Sequence, residues 1–184
     1  MKAMGSRWFL KNFSLCIALL AVAGCSSPGI ESYSNNVPVL DIKTFFNGEL
    51  TAHGIVKNRG GQVIRYFNAT ISASWDTNGI GTLDEQFLFD DGEQQRRIWT
   101  LQPNDSGSYS GTAGDVVGQA LLETAGNALF LEYVLTVPYR EKTLDVRVDD
   151  RMYLVNPSTL INESILTKFG FEVGYVTLVI SRKP

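Results

Sequence analysis

From Leu50 to Ser181 the chain repeats one pattern: apolar and polar residues alternate singly over strand-length runs, and each run ends at a turn signal. A period of two sends successive side chains to opposite faces of an extended strand, so it restricts the fold more than composition does. Between 63 and 75, Val63, Arg65, Phe67, Ala69, Ile71, Ala73 and Trp75 share one phase, and Asn68, Thr70, Ser72 and Ser74 share the other. Between 143 and 155 the phase flips. There Leu144, Val146, Val148, Met152 and Leu154 form the apolar set, and Asp145, Arg147, Asp149 and Arg151 the polar one. The signals "RGG", "DTNG", "DDG", "PNDSG", "AGN", "PYREK", "NPS" and "FG" help divide the chain into ten predicted strands. These are 50–57, 63–75, 80–89, 93–102, 108–113, 117–124, 128–137, 143–155, 159–168 and 171–181. No helical period separates them, which indicates an antiparallel meander. Strands wet on one face need closure or a second sheet. The expected architecture is all-β, a single antiparallel up-and-down barrel of about ten strands, because closure also removes exposed edges. A two-sheet β-sandwich is the alternative. A membrane-spanning barrel is disfavoured, since the polar faces carry charges where lipid demands an apolar band.

The N-terminus is set aside before this reasoning. Lys2, Arg7 and Lys11 precede an apolar run from Phe13 to Val22, too short to span a bilayer but suited to a signal-peptide core. It ends in "VAGCSS", the pattern of a bacterial lipobox, which implies cleavage before Cys25 and a lipid on its sulfur. The expected organisation is a lipoprotein signal peptide over 1–24, a lipidated tether over 25–38 and a β-barrel domain over 39–184. Ser26 in place of an aspartate favours the outer membrane over the inner, on its periplasmic face. The tether is read from "SSPGIESYSNNVP", which is polar and rich in Ser, Asn, Gly and Pro. Asp41 is placed to cap a short helix ending at Gly48, with Ile42, Phe45 and Phe46 on one side.

Losing three cations and no acids with the signal takes the formal charge from −3 to −6. An acidic surface argues against nucleic acid and against electrostatic docking on anionic lipid. Cys16 leaves with the signal and Cys25 is consumed by lipid, so no disulfide, thiol nucleophile or cysteine metal site is expected.

The stretch "LDEQFLFDDGEQQRRIWTL" places opposite charges among aromatics. Glu85 shares a phase with Leu83, Phe87 and Phe89, and Arg97 with Trp99 and Leu101. "DDG" suits a three-residue hairpin loop with Gly92 left-handed, which sets Phe89 against Glu93, Glu85 against Arg97 and Leu83 against Trp99. The pair then reads either as a buried bridge fixing register or as a polar anchor in a ligand cavity. Asp150 falls on the inward phase beside Met152, either pairing with an inward arginine or marking a bulge.

Signals for chemistry are weak. His53 is the one histidine and reads as structural, and no nucleophile elbow is present. The dipeptides Asp84–Glu85 and Asp149–Asp150 lie in strands, so their carboxylates point to opposite faces and cannot flank one bond. No enzyme activity, metal or cofactor is expected.

The ordered set "FNG", "SWDTN-G-GTLDE-F-F-DG--Q-R-WTL", "Y-GTA-DVVG-A", "GNAL---Y-L-VP", "DD-MYL" and "KFGF--G-VTL" resembles the domain-of-unknown-function 3833 (DUF3833) family of bacterial lipoproteins, over roughly 39–182. The resemblance implies an envelope lipoprotein and brings no catalytic residues. It also suggests proximity to fatty-acid-modifying enzymes. "FFNGEL" is similar to the F-x-G-x-W start of lipocalins, with Leu50 in place of the tryptophan, and Arg182 follows the last strand as an arginine does there. The resulting expectation is a membrane-tethered, lipocalin-like barrel that binds a small hydrophobic molecule such as a fatty acid. Phe67, Trp75, Leu83, Phe87, Phe89 and Trp99 would line it, and Arg65, Glu85 and Arg97 would be its polar contacts. The alternative is a filled barrel acting as a scaffold for an envelope protein partner.

Overall fold

The computed structural model describes residues 27–104 and 108–183, so Cys25 and the rest of the lipobox lie outside the described residues. Ten strands run in chain order: β1 (Gly48–Asn58), β2 (Val63–Trp75), β3 (Gly81–Phe89), β4 (Gln94–Pro103), β5 (Tyr109–Thr112), β6 (Val116–Ala125), β7 (Ala128–Tyr139), β8 (Lys142–Asn156), β9 (Thr159–Lys168) and β10 (Phe171–Arg182). Each is antiparallel to its chain neighbours, and β1 pairs with β10 from Leu50↔Arg182 to Asn58↔Gly174, so the meander closes into one barrel. The sandwich alternative is excluded by that closed ring of paired strands. The predicted strand limits agree with the observed ones to within two residues.

The alternation decides what faces inward. In β2, Phe67, Ala69, Ile71 and Ala73 are buried while Asn68, Thr70, Ser72 and Ser74 are exposed. Leu50, Leu129, Val146 and Leu160 from four further strands are almost fully enclosed. The β3–β4 loop takes the expected form: Gly92 has φ +86°, and the Phe89 N–H bonds to the Glu93 carbonyl at 3.0 Å. The resulting register sets Glu85 against Arg97 and Leu83 against Trp99.

One end of the barrel is plugged. Helix α1 (Ile42–Phe45) is capped by Asp41, whose Oδ1 accepts from the Thr44 N–H at 2.7 Å. Its single turn buries Ile42 and Phe45, and Leu40 and Phe46 are buried beside them. The Trp75 Nε1–H donates to the Phe46 carbonyl at 2.6 Å, tying β2 to this plug.

Part of the stretch whose composition points to a spacer is seated on the barrel wall. A 3₁₀ turn at Ile30–Tyr33 sets the Tyr33 ring edge-on to Phe130 at 5.6 Å and beside Tyr153 at 5.3 Å. The Arg151 guanidinium donates to the Pro28 carbonyl at 3.1 Å, and the Leu40 N–H to the Gly126 carbonyl at 2.8 Å. A Cβ on Gly126 would lie 1.9 Å from the Tyr33 carbonyl oxygen, so only glycine lets the segment pass. Composition alone missed this because much of the contact runs through one ring, Tyr33, and through backbone groups.

Candidate ligand cavity

Above the plug the barrel holds a cavity of about 430 Å³. It opens between the hairpins opposite α1, where Tyr139, Phe169 and Phe171 stand exposed. A cation lies over each of these rings: Arg140 at 5.3 Å, Lys168 at 4.9 Å and Arg59 at 6.0 Å.

The upper wall is aromatic. Phe67 meets Phe87 edge-on at 5.7 Å and Phe89 at 5.6 Å. Room for the Phe67 ring comes from Gly54, where a Cβ would lie 2.2 Å from the ring. Arg65 sits at the mouth with its guanidinium 3.8 Å from the Phe89 ring centre. Its Nη2 bonds to Asp91 at 2.9 Å and to Glu93 at 2.9 Å, while its buried Nε has no partner.

Below the aromatics lies a polar belt. Arg97 on β4 is clasped by Asp115, from the β5–β6 turn, through contacts of 2.8–3.1 Å. Glu85 faces it from β3 at 3.9 Å, too long for a hydrogen bond. Across the lumen, the Tyr133 hydroxyl donates to Asp150 at 2.9 Å, and Asn162 Nδ2 donates to the same carboxyl group at 3.4 Å. The Ser164 hydroxyl in turn donates to Asn162 Oδ1 at 3.2 Å. Asp150 therefore points inward without a bulge, held by neutral donors rather than by an arginine.

Electrostatics follow from burial. Desolvation raises the Glu85 pKa to about 7, against the pull of Arg97, and the charges of Asp150 and Asp115 push the same way as burial. Burial also raises Asp150, despite the opposing pull of the neighbouring Ser164, Tyr133 and Asn162 side chains. Burial opposes the charge on Arg97, but its bonds to Asp115 and the nearby Glu85 outweigh that and hold it firmly protonated.

Of the expected lining residues, Arg65, Phe67, Glu85, Phe87, Phe89, Arg97 and Trp99 all face the cavity. Leu83 and Trp75 do not. They share the inward phase but sit one and two rungs nearer the plug, where Leu83 is core and the indole of Trp75 packs against Tyr109. The alternation reports the face of a strand and says nothing about depth along the barrel. Sequence reasoning also missed Asp115, Tyr133, Asn162 and Ser164. Asn162 and Ser164 did carry a signal, since they interrupt the apolar phase between Leu160 and Leu166. Asp115 carried none, because it lies in a turn. Elsewhere, His53 is exposed on the outer face and bonds to Asn68 at 2.7 Å. Among the described residues no group of three or more His, Cys, Asp and Glu is placed to hold a metal ion.

Fold and cavity together define a class: a lipocalin-like up-and-down barrel, plugged at one end and hollow toward the other. Within that class, the chain belongs to the family described as protein of unknown function (DUF3833), which it matches over residues 19–182. The fold recurs among solved structures. A protein of unknown function from the DUF3598 family of Nostoc punctiforme is 17% identical, with a TM-score of 0.56 over 79% of this chain and 50% of that one. The chain thus spans half the length of that protein. An S-type phycobiliprotein lyase from Guillardia theta is 14% identical, with a TM-score of 0.53 over 85% of this chain and 99% of that one. A search of curated proteins gives no match.

Proposed function

We propose that this chain is a membrane-tethered lipoprotein, anchored through Cys25, whose barrel binds or carries one small, mostly apolar molecule. The observation that carries the binding half is the cavity of about 430 Å³, walled by aromatics and crossed by a belt of fixed polar groups. Ligand sites have this make-up: apolar lining for affinity, a few placed polar groups for orientation. A barrel of similar shape occurs in the phycobiliprotein lyase, and this supports small-molecule binding at the level of fold. The reading is of a binder and not an enzyme: the belt groups are held in fixed contacts, Arg97 with Asp115 and Asp150 with Tyr133 and Asn162, which suits orientation of a bound molecule. The tethering half rests on the lipobox alone, and Ser26 favours the periplasmic face of the outer membrane.

Binding is tested with the chain from residue 27 onward, which carries the plug and all ten strands. Purified without detergent, it should take up the neutral dye Nile red with a blue-shifted emission. Leu135→Trp, which fills the cavity from β7, should abolish uptake while leaving circular dichroism and melting intact. A folded protein that excludes the dye, with a native mass equal to the bare chain, would reject the carrier. For the anchor, Cys25→Ser in the full chain should move the protein from the membrane pellet to the soluble fraction. A variant that stays with the membrane refutes lipidation.

A further inference from the structure

Resting on the reading of the cavity as a binding site, its charges also specify what the ligand must bring. Arg65 and Arg97 are the cations that face the lumen, with Glu85, Glu93, Asp115 and Asp150 as the acids. Both cations already hold carboxylates, though the buried Arg65 Nε has no partner. Arg65 holds Asp91 and Glu93, and Arg97 holds Asp115 with Glu85 behind it. An incoming carboxylate would meet arginines that already hold acids, in a lumen lined by more acids than cations. The expected contact between Arg97 and a fatty-acid head group is thus opposed by the geometry.

Acceptors are in the opposite situation. Glu85 is 15% exposed, and its nearest cationic nitrogen is 3.9 Å away. Asp150 receives only neutral donors, at 2.9 and 3.4 Å. Two enclosed carboxyl groups therefore flank the lumen without a cation in hydrogen-bond contact. A buried carboxyl group whose close donors are all neutral still gains from a charged donor that arrives with the ligand. The aromatic upper wall suits an apolar body, and the rings of Phe67 and Phe87 stand beside the path of a cationic head.

We propose that the cavity selects an apolar molecule whose head group donates hydrogen bonds and carries no negative charge, an ammonium being the best match, and that it discriminates against free carboxylates. The head lies in the belt between Glu85 and Asp150, and the apolar body runs toward Phe67 and Phe89.

The test is displacement of Nile red from the chain beginning at residue 27 by decylamine, decanol and decanoate at pH 7.5, below their micelle concentrations. Decylamine should displace at concentrations at least roughly tenfold lower than decanoate, with decanol between them, since one well-placed charge contact shifts binding by about that factor. Glu85→Gln, which keeps the shape, should erase most of the amine's advantage and leave decanol within about threefold. Asp150→Asn is the second variant, for use if Glu85→Gln does not fold, and the same loss is expected. Decanoate binding as well as or better than the amine overturns the proposal, as does an amine preference unchanged in both variants. Failure of Nile red and of all three competitors to bind overturns the underlying cavity reading, and this proposal with it.

Discussion

Glu85 concentrates the physical tension of this molecule in one side chain. Its pKa rises from the ordinary 4.5 to about 7 because burial disfavours its charge more than Arg97 favours it. A carboxyl whose folded pKa exceeds its unfolded one binds its proton more tightly when folded. Between pH 4.5 and about 7 the folded chain thus holds a proton that the unfolded chain has released, and stability falls as pH rises. The full loss is roughly 3 kcal/mol, reached above pH 7. Asp150 acts in the same direction. Urea unfolding should therefore show a protein more stable at pH 5.5 than at pH 8, and Glu85→Gln should remove most of that slope. A slope unchanged by the substitution would mean that Glu85 ionises as freely as in solvent. At Gly126 the constraint is steric. Gly126→Ala places a methyl against the Tyr33 backbone and should cost about 1–3 kcal/mol by strain or by lifting the N-terminal segment. Thermal melting measures it, and a Tyr33→Ala background should shrink the effect if the segment is the cause.

At the scale of elements, β5 is the weak stave. It has four residues, paired with β4 only from Thr100 to Pro103 and with β6 at Tyr109, Ser110 and Gly111. Among the described residues, β4 from Gln94 to Trp99 has no ladder partner on that side, and the Arg97–Asp115 pair spans the seam instead. β6 is also irregular there, its register with β7 shifting between Val117 and Leu121 around Gly118 at φ +75°. Asp115→Ala leaves Arg97 with one distant partner. Because Asp115 is 38% exposed, the expected cost is about 2 kcal/mol, below that of breaking a fully buried pair. Hydrogen exchange should locate it: amides of residues 94–99 and 116–117 should exchange faster, and those of β8 and β9 should not. Uniform acceleration would show instead that the seam is no weaker than the rest. Alternation, turn residues and the cap at Asp41 all made the elements legible, because each is a local preference written within a few residues. The seam was not legible, since a short strand and a turn acid look ordinary until their neighbours are known.

For the whole molecule, the plug and the cavity divide one continuous inward face into two uses. Phe45 is 2% exposed and closes the lower end, so Phe45→Ala should cost about 3–5 kcal/mol in chemical denaturation. Its effect on Nile red uptake by the surviving folded protein should be small, since the residue lies outside the cavity wall. A loss of uptake without a loss of stability would show the two compartments to be one. The sequence by itself determined the strands, their order, the inward phase of β2, β3, β4 and β8 and the Glu85–Arg97 register, because period-two alternation and the "DDG" turn are local codes. Only the tertiary structure decided that the lumen stays hollow above Leu83 and filled below it. It alone also bound Arg97 to Asp115 and left Glu85 and Asp150 without a cation in hydrogen-bond contact. Those outcomes depend on how deep along the barrel each residue lies and on what the distant strands deliver to the same level. Neither quantity is carried by the phase of a single strand.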